Sequence, residues 1–342
     1  MCFSARKRHY KTVLKSKKFD ADWYLSTYTD VATSGVDAVS HYLDCGWRYG
    51  YNPGPEFNTN AYLRNYPDVR ARGRCPLLHW EHIGARRGYE CCNYMQTLSE
   101  FEQEMQKKYS VHERVATQNV SFSIIMPTFN RADIICRAID SVLSQTYKNF
   151  ELIIVDDGST DGTAELIAER YKDEISNGMV RYIYQDNAGV CCARNTGLAH
   201  ATKDWIAYLD SDNVLFDCFL ETFVRHIDKG THRCMYAQRI LLNNGMIDGR
   251  SFDLQKLLRG NYIDLGVFVH HHDLYKELGG FDENLTRLVD WDLIIKYARQ
   301  YRPLYISQPV FLYNNLNDHV RISNSANYEK NYSYIRAKYS DK

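Results

Sequence analysis

Acidic side chains end two short apolar runs of this sequence, and carboxylates at such positions can bind cations and hydroxyl groups. Asp156 and Asp157 follow the run FELIIV, and Asp210 and Asp212 follow the run WIAYL. Carboxylate oxygens are ligands for Mg²⁺ and Mn²⁺ and also accept hydrogen bonds from ribose or sugar hydroxyls. The pattern therefore predicts an acidic crevice that binds a divalent cation and a hydroxyl-rich ligand.

A third pair of acids, Asp290 and Asp292, begins the helical pattern DWDLIIKYARQ. A carboxylate there is suited to act as a general base that takes a proton from an attacking hydroxyl, but it is equally suited to cap the helix. Both interpretations remain open for Asp290, and Asp292 is the substitute candidate for the base. Asp-x-Asp triplets occur three times in the chain, so it is the position after a strand that gives weight to Asp210 and Asp212.

The segments that must position these acids alternate between strand and helix from Ser121 onward. Apolar strands are predicted at 122–127, 150–156, 179–185 and 204–210, with amphipathic helices between them. This alternation is typical of an α/β fold with a parallel sheet, which binds its ligands at the carboxyl ends of the strands. Beyond residue 230 the alternation loosens, which predicts a more mixed second half. The glycine motifs of dinucleotide-binding and P-loop proteins are absent.

The chain before Ser121 contains a duplicated unit. Two stretches of 33 residues align at a constant offset of 38 with 12 identities. Each copy has the pattern of two short helices separated by glycine turns. We therefore predict a small all-α domain at 19–92, with units 19–55 and 57–92, followed by a linker helix at 93–120.

The charge of the chain is unevenly distributed although it sums to zero. Residues 1–18 hold seven basic side chains and no acid, which leaves 35 basic and 42 acidic side chains in the rest. This basic N-terminal arm is either a solvated extension or a peripheral contact with an anionic membrane. A neutral chain with 25% charged residues argues against a general nucleic-acid binder and against an acidic disordered protein.

Membrane and secretion signals are absent from the sequence. No apolar run approaches about 18 residues, and the first residues lack the apolar stretch of a signal peptide. We expect the ten cysteines to be free thiols in a reducing compartment. The expected location is therefore cytoplasmic, and of the two interpretations of the basic arm, the membrane contact would place the protein at the inner face of the membrane.

The second half of the chain carries a family resemblance. It is similar to the family 2 glycosyltransferases in three successive segments, which read SIIMPTFNRADIICRAIDSVLSQTYKNFELIIVDDGSTDGT, DNAGVCCARNTGLAHATKDWIAYLDSDN and GGFDENLTRLVDWDLIIKYAR. The resemblance covers residues 121–325 and implies a GT-A fold, with a mixed and mainly parallel sheet flanked by helices. It divides this region into a nucleotide-sugar half (121–232) and an acceptor half (233–325), before a C-terminal tail (326–342). The duplicated unit resembles modules found beside bacterial polysaccharide-synthesis transferases.

The resemblance implies an inverting transfer of a sugar from a nucleotide-diphospho-sugar, and it places the site residues by position. Asp290 falls at the catalytic-base position, Asp210 lies near the donor ribose or sugar, and Asp212 holds Mn²⁺ or Mg²⁺ on the diphosphate. Arg194 lies on the nucleotide side, and His319 is a further candidate metal ligand. The remaining expected nucleotide-sugar contacts are Pro127, Thr128, Phe129, Asn130, Asp156 and Asp157.

This sequence departs from the family pattern at two positions. Asn213 stands where a third acid often follows the Asp-x-Asp element, and Val289 stands where Glu often precedes the base. The QxxRW motif of processive synthases is absent, which favours the addition of one or a few sugars. Three consecutive histidines, 270–272, end a predicted strand, and their alternating directions argue against one shared metal ion.

The predicted function is therefore a metal-dependent, non-processive, inverting hexosyltransferase. We expect a UDP-sugar as the donor and a glycan or lipid-linked acceptor in polysaccharide or surface-glycan biosynthesis. One alternative is a catalytically silent glycan-binding or scaffold protein of a polysaccharide assembly complex. Another is a sugar nucleotidyltransferase, although the loop MPTFNRAD after the first strand lacks the expected glycine-rich, basic phosphate loop.

Overall fold

The computed structural model divides the chain into two compact units. The helical unit comprises the described residues up to 104 together with 242 and 245, and the sheet unit comprises the described residues within 105–241, 246–314 and 328–340. Within them the structure describes residues 3–59, 62–63, 66–89, 91, 94–110, 120–227, 232–242, 245–314 and 328–340.

The helical unit repeats one set of aromatic contacts in its two copies. A tyrosine hydroxyl bonds a histidine nitrogen in each copy, and two tyrosine rings stack in each copy. The hydrogen-bonded pairs are Tyr24–His41 (2.8 Å) and Tyr62–His79 (2.9 Å), and the stacked pairs are Tyr28–Tyr51 and Tyr66–Tyr89 (both 4.0 Å between ring centroids). The helices of this unit are Phe3–Lys15, Ala21–Thr27, Thr29–Ser34, Ala38–Asp44, Pro67–Ala71 and Pro76–His79.

Matching glycines permit these contacts in both copies. A Cβ atom on Gly46 would lie 2.3 Å from the Tyr24 hydroxyl oxygen, and one on Gly84 would lie 2.4 Å from that of Tyr62. Both distances are far below van der Waals contact, so a larger residue would displace the tyrosine. The glycines at these repeated positions are therefore explained by packing.

The basic N-terminal stretch forms the helix Phe3–Lys15 of this unit. Val13 of the helix is fully buried in the aromatic core of the two repeats, and the Tyr10 hydroxyl donates a 3.2 Å hydrogen bond to Asp37. This stretch therefore packs against the first repeat. The helix Tyr94–Tyr109 lies where the sequence predicts a linker helix.

The sheet unit is built on one nine-stranded sheet. Its strand order is β3-β2-β1-β4-β8-β6-β9-β5, with β7 paired to β6. Strands β1 to β4 are parallel, β9 runs parallel to β6, and β5, β7 and β8 are antiparallel to their neighbours. The predicted mixed, mainly parallel sheet is thus confirmed. The strands are β1 Phe122–Thr128, β2 Phe150–Asp156, β3 Val180–Tyr184, β4 Trp205–Tyr208, β5 Val214–Leu215, β6 Cys234–Leu241, β7 Ile247–Asp248, β8 Phe268–His271 and β9 Leu304–Tyr313.

The central strands are apolar on both faces because helices cover both sides of the sheet. Ile124 and Met126 of β1 pack into one buried cluster, whereas Ile125 between them packs into the other. Such two-sided burial explains the continuous apolar runs of the sequence. On the second face, a Cβ atom on Gly197 would lie 2.4 Å from Ile125, so this glycine lets the helix approach the sheet closely.

The sheet unit also includes the final helix of the chain. This helix, Tyr328–Tyr339, lies in the segment that the sequence assigns to a tail, and its Ile335 is buried in the core of the unit. The other helices of the unit are Ile135–Leu143, Thr163–Arg170, Lys172–Ser176, Val190–His200, Phe219–His226, Leu254–Arg259, Asp273–Leu278 and Val289–Gln300. None of the helices within the described ranges is both long and apolar enough to cross a membrane. The eight cysteines in those ranges are free thiols.

Candidate active site

The loops after β1 and β2 are joined to each other at the carboxyl edge of the sheet. The Asp157 amide donates to the Thr128 carbonyl at 2.9 Å, and the Asn130 amide donates to the Ser159 hydroxyl at 2.8 Å. The Asn130 side chain in turn accepts from the Thr160 amide at 2.8 Å. Strand β1 has β2 on one side and β4 on the other, so the strand order reverses beside β1. The loops after β1 and β2 border this point, which is the usual ligand crevice of such sheets.

Two residues in this region have left-handed backbone conformations. Asn130 (φ 51°) and Leu288 (φ 59°) are the non-glycine residues with positive φ in the described ranges. Asn tolerates this conformation, whereas for Leu it costs about 1–2 kcal/mol. Leu288 immediately precedes the helix Val289–Gln300, so the strained residue fixes how Asp290 enters that helix. Strain of this kind is concentrated at functional sites.

Asp156 lies behind the edge of the crevice. Its side chain is fully buried and accepts hydrogen bonds from the Ser159 amide at 2.8 Å and the Tyr182 hydroxyl at 2.6 Å. The sequence predicts a nucleotide-sugar contact for this residue. In the structure its carboxylate has no exposed surface, and these two hydrogen bonds stabilise the loop after β2.

Asp157 holds the loop that leads into the helix Val190–His200. Its carboxylate accepts from the Gln185 side chain at 2.8 Å and from the amides of Ala188 and Gly189 at 2.9 and 2.8 Å. The side chain is 5% exposed. Asp157 therefore fixes the start of the helix that carries Arg194, in addition to the base or ribose contact that the sequence predicts for it.

The end of β1 offers one polar and one aromatic surface. The Thr128 hydroxyl oxygen is buried and lacks a hydrogen-bond partner among the described residues. Phe129 is exposed, whereas Pro127 is half-buried within β1. An exposed ring beside an unpartnered hydroxyl fits the predicted nucleoside contacts of these three residues.

Arg194 and Asp210 form an ion pair between two elements of the sheet unit. The guanidinium of Arg194 is 2.6 Å from an Asp210 carboxylate oxygen, and the two side chains are 7% and 47% exposed, respectively. Arg194 also lies over the Phe281 ring at 5.4 Å, and its buried Nε lacks a hydrogen-bond partner among the described residues. Burial lowers the pKa of Arg194, but Asp210 and Asp290 raise it by more, so the guanidinium stays charged.

Asp290 interacts electrostatically with both members of this ion pair, whereas Asp292 contacts the last helix. Asp290 is half-buried and accepts a 2.7 Å hydrogen bond from the Asn261 side chain. Burial raises the pKa of Asp290, Arg194 opposes that shift, and Asp210 adds to it. Asp292 is instead fully buried against the last helix, where Lys338 and the Tyr339 hydroxyl bond its oxygens at 2.9 and 3.0 Å.

Asp264 is a further member of this cluster and was not found from the sequence. Burial raises the pKa of Asp264 to about 6, Arg239 opposes that shift, and Asp290 and Asp210 add to it. Arg239 of β6 pairs with Asp264 and also with Asp248, at 2.8 Å. A lone arginine within the apolar strand MYAQRILL was the available signal, because a buried guanidinium requires carboxylate partners.

The structure therefore brings together Arg194, Asp210 and Asp290, with Asp264 beside them. Asp212 follows Asp210 in the loop, where the Arg137 side chain donates to its carbonyl oxygen at 3.1 Å. In the described part of the chain, His, Cys, Asp and Glu side chains do not form a cluster of three or more that would hold a metal ion on its own. His319 lies outside the described residues.

The first of the three consecutive histidines belongs to the core. His270 is fully buried, its Nε2 atom lies 2.8 Å from the Tyr208 hydroxyl, and burial lowers its pKa to about 3. His271 packs edge-on against Trp205, and His272 stacks on Tyr275. The three rings thus have separate packing partners.

Comparisons with known proteins identify the family. The profile of glycosyl transferase family 2 matches residues 123–257. The PGL/p-HBAD biosynthesis glycosyltransferase of Mycobacterium bovis is 32% identical over 180 residues, which cover 51% of this chain and 68% of that protein. The Escherichia coli UDP-Glc:alpha-D-GlcNAc-diphosphoundecaprenol beta-1,3-glucosyltransferase WfgD is 37% identical over 137 residues, 40% of this chain and 52% of that protein.

A solved glycosyltransferase structure also has a similar fold. The crystal structure of Staphylococcus aureus TarS in complex with UDP-GlcNAc superposes with a TM-score of 0.55 at 20% identity, over 63% of this chain and 64% of that one. The chain spans between 17% and 58% of the length of four Rickettsia glycosyltransferases that it also matches. The chain belongs to glycosyltransferase family 2 and has the GT-A fold.

Proposed function

We propose that the protein transfers a sugar from a nucleotide-diphospho-sugar to a glycan or lipid-linked acceptor, with inversion at the anomeric carbon. The observation that carries this proposal is the convergence of Arg194, Asp210 and Asp290 from three separate elements at the crevice of the sheet unit. One cation and two carboxylates at one edge of the sheet provide both an anion-binding group and a proton acceptor.

Asp290 is the general base of the proposed reaction. The acceptor oxygen attacks C1 of the sugar and the C1–O bond to the diphosphate breaks, while the acceptor proton passes to the Asp290 carboxylate. Attack from the face opposite the leaving group inverts C1 in one displacement, so one carboxylate is sufficient. Asn261 holds this carboxylate by a 2.7 Å hydrogen bond, and burial raises its pKa toward the range in which a base works near neutral pH.

Asp212, with Asp210 beside it, would hold Mn²⁺ or Mg²⁺ in this proposal. Such ions are commonly held by one or two protein carboxylates together with substrate phosphates, so a complete protein cage is unnecessary. The half-exposed Asp210 carboxylate and the neighbouring Asp212 fit this requirement. The bound ion would neutralise charge on the nucleoside diphosphate as it leaves. Arg194 adds a buried positive charge on the same side.

A UDP-sugar and a lipid-linked acceptor are the proposed substrates. WfgD is named for transfer from UDP-Glc to GlcNAc-diphosphoundecaprenol, and TarS has been crystallised with UDP-GlcNAc. The name of WfgD supports a role in the synthesis of lipid-linked glycans, and the absence of the QxxRW motif supports non-processive transfer. We also propose that the basic helix Phe3–Lys15 brings the enzyme to an anionic membrane face, where such an acceptor resides.

The test is release of the nucleoside diphosphate from a panel of nucleotide-sugars with and without Mn²⁺. We expect release from at least one UDP-sugar, dependence on the cation, and weaker cation dependence in Asp212→Ala. The exposed Asp173→Asn, on the helix Lys172–Ser176, is the matched control and is expected to behave as wild type.

Three other results would contradict the proposal. If no nucleotide-sugar yields a nucleoside diphosphate, the scaffold alternative is favoured. Formation of a nucleotide-sugar from a sugar phosphate would indicate a nucleotidyltransferase. Unchanged cation dependence in Asp212→Ala would contradict the metal assignment.

A further inference from the structure

The helical unit contains a cavity of about 660 Å³ that the proposed transferase chemistry does not use. Its volume lies within the range of about 300–1,000 Å³ typical of small-molecule sites. Residues from the basic N-terminal helix and from both repeats line it. The side chains on which the argument depends are Arg6, Arg48, Arg74, Trp47, Leu78 and His79.

The exposed part of the cavity lining carries a net positive charge. Arg6, Arg48 and Arg74 are exposed lining residues, and Asp44 is the acid among the lining residues. Asp44 is already paired with Arg6 at 2.5 Å, and both side chains are more than half exposed. Three guanidinium groups and one carboxylate leave an excess of positive charge that an anionic ligand would neutralise.

Arg74 is the cation most available to a ligand. Among the described residues, none accepts a hydrogen bond or an ion pair from its guanidinium. The charge of Arg74 also acts on His79 in the cavity lining. Burial lowers the pKa of His79, Asp68 raises it, and Arg74 lowers it further. By contrast, Arg48 stacks on Trp47 at 4.5 Å and donates to the Asp44 carbonyl.

The inner wall of the cavity is apolar. Trp47 and Leu78 are buried lining residues, and Leu43 and Ile83 are half-buried beside them. Buried apolar groups and exposed arginines in the lining of one cavity suit a ligand that has an anionic head and a less polar body. A bare inorganic ion would leave this inner wall unused.

Several of the cavity residues, although not Arg48 or His79, differ between the two repeats. At the constant offset of 38, Arg74 corresponds to Val36, and Trp47 corresponds to Ala85. The tyrosines, histidines and glycines that maintain the fold are instead the same in both copies. The repeated contacts therefore do not require an arginine at the Arg74 position, because the first repeat makes them with Val36 there.

We propose that this cavity is a binding site for a phosphate monoester or diphosphate group attached to a sugar or lipid body. Arg74, with Arg6 and Arg48, binds the phosphate oxygens, and the wall formed by Trp47 and Leu78 contacts the attached body. Guanidinium groups match phosphate oxygens in geometry as well as in charge. The proposal does not depend on the transferase activity, since it uses none of the residues of the sheet unit.

Isothermal titration of the full chain with inorganic pyrophosphate, in EDTA, tests the phosphate contact. We expect binding that weakens as salt is raised and that falls about tenfold or more in Arg74→Gln, because a hydrogen bond to a charged group is lost. Arg70→Gln removes the same charge from an exposed position outside the cavity lining and is expected to bind within about twofold of wild type. Equal thermal unfolding of both variants controls for folding.

Two further probes distinguish a soluble phosphate ligand from a lipid headgroup. Glucose 1-phosphate represents a soluble ligand, and phosphatidylcholine vesicles with and without phosphatidic acid represent a lipid phosphate monoester. Arg74-dependent binding of either probe supports the site and identifies the source. If pyrophosphate fails to bind, or if Arg74→Gln binds it as tightly as wild type, the proposal is overturned.

Discussion

Replacement of Asp157 by Asn separates two roles for this carboxylate: holding a loop and contacting a donor. In the structure it accepts three hydrogen bonds, at 2.8, 2.9 and 2.8 Å, from Gln185, Ala188 and Gly189. Asn retains one acceptor oxygen and places an NH₂ donor where the second oxygen stood. The amide of Gly189 then faces a donor and loses its acceptor beside the buried Asp157 side chain.

The expected loss of stability in Asp157→Asn can be worked out from these contacts. A hydrogen bond to a charged group contributes about 1.5–3 kcal/mol, so we expect Asp157→Asn to lower the free energy of unfolding by about 2–3 kcal/mol. For a domain of about 200 residues, each kcal/mol corresponds to about 2–4 °C in Tm. The expected fall is therefore about 4–12 °C, measured by circular dichroism without nucleotide-sugar or metal. Asp173→Asn, an exposed change of the same chemistry, is expected to unfold with the wild type.

A measurement of nucleotide-sugar binding by Asp157→Asn completes the test of the two roles. Because the held loop begins the helix that carries Arg194, we expect donor affinity and stability to fall together in Asp157→Asn. If Tm is unchanged while donor binding is lost, Asp157 contacts the donor and the assignment of its carboxylate to the loop is wrong.

Three further predictions concern the acids, the buried arginine and the last helix. The pKa of Asp290 is raised by burial, so kcat/KM should fall on acidification at a pH above the ordinary aspartate value of about 4. Asp210→Asn should move this limb to lower pH because it removes a negative charge that raises the pKa of Asp290; a limb that does not move in a pH–rate profile would contradict the coupling. Arg194→Lys keeps the charge but loses the planar contacts of the guanidinium with Asp210 and Phe281. We therefore expect kcat/KM to fall about tenfold or more at unchanged Tm. A wild-type rate would contradict the role given to the guanidinium. Lys338→Met leaves the fully buried Asp292 without its cation and should destabilise the protein by about 3 kcal/mol in urea unfolding, whereas a change below about 0.5 kcal/mol would show that this contact is unimportant.

The sequence predicted the parts of the fold whose signals are local. The strands β1, β2 and β4 are short apolar runs, and the acids at the ends of β2 and β4 lie at the same sheet edge because parallel strands finish on the same side. Strands β5 and β9 were missed, since each is defined by pairing with strands distant in the sequence. The packing of the N-terminal and C-terminal helices was missed for the same reason.

Within the site, the sequence identified residue types better than their surroundings. The choice between Asp290 and Asp292 depends on Lys338, which lies 46 residues beyond Asp292. The bracing roles of Asp156 and Asp157 depend on partners about 30 residues away, across two loops. Asp264 was missed because only the fold places Arg239 and Asp290 beside it.

The central claim is that Asp290 is the base of a sugar transfer, and the measurement that tests it most directly is the transfer rate of Asp290→Asn with the donor identified by the panel. A positioned base contributes about 10²- to 10⁴-fold, so we predict a fall in kcat of that size, with donor affinity within about twofold of wild type in the presence of Mn²⁺. Transfer at the wild-type rate would contradict the assignment.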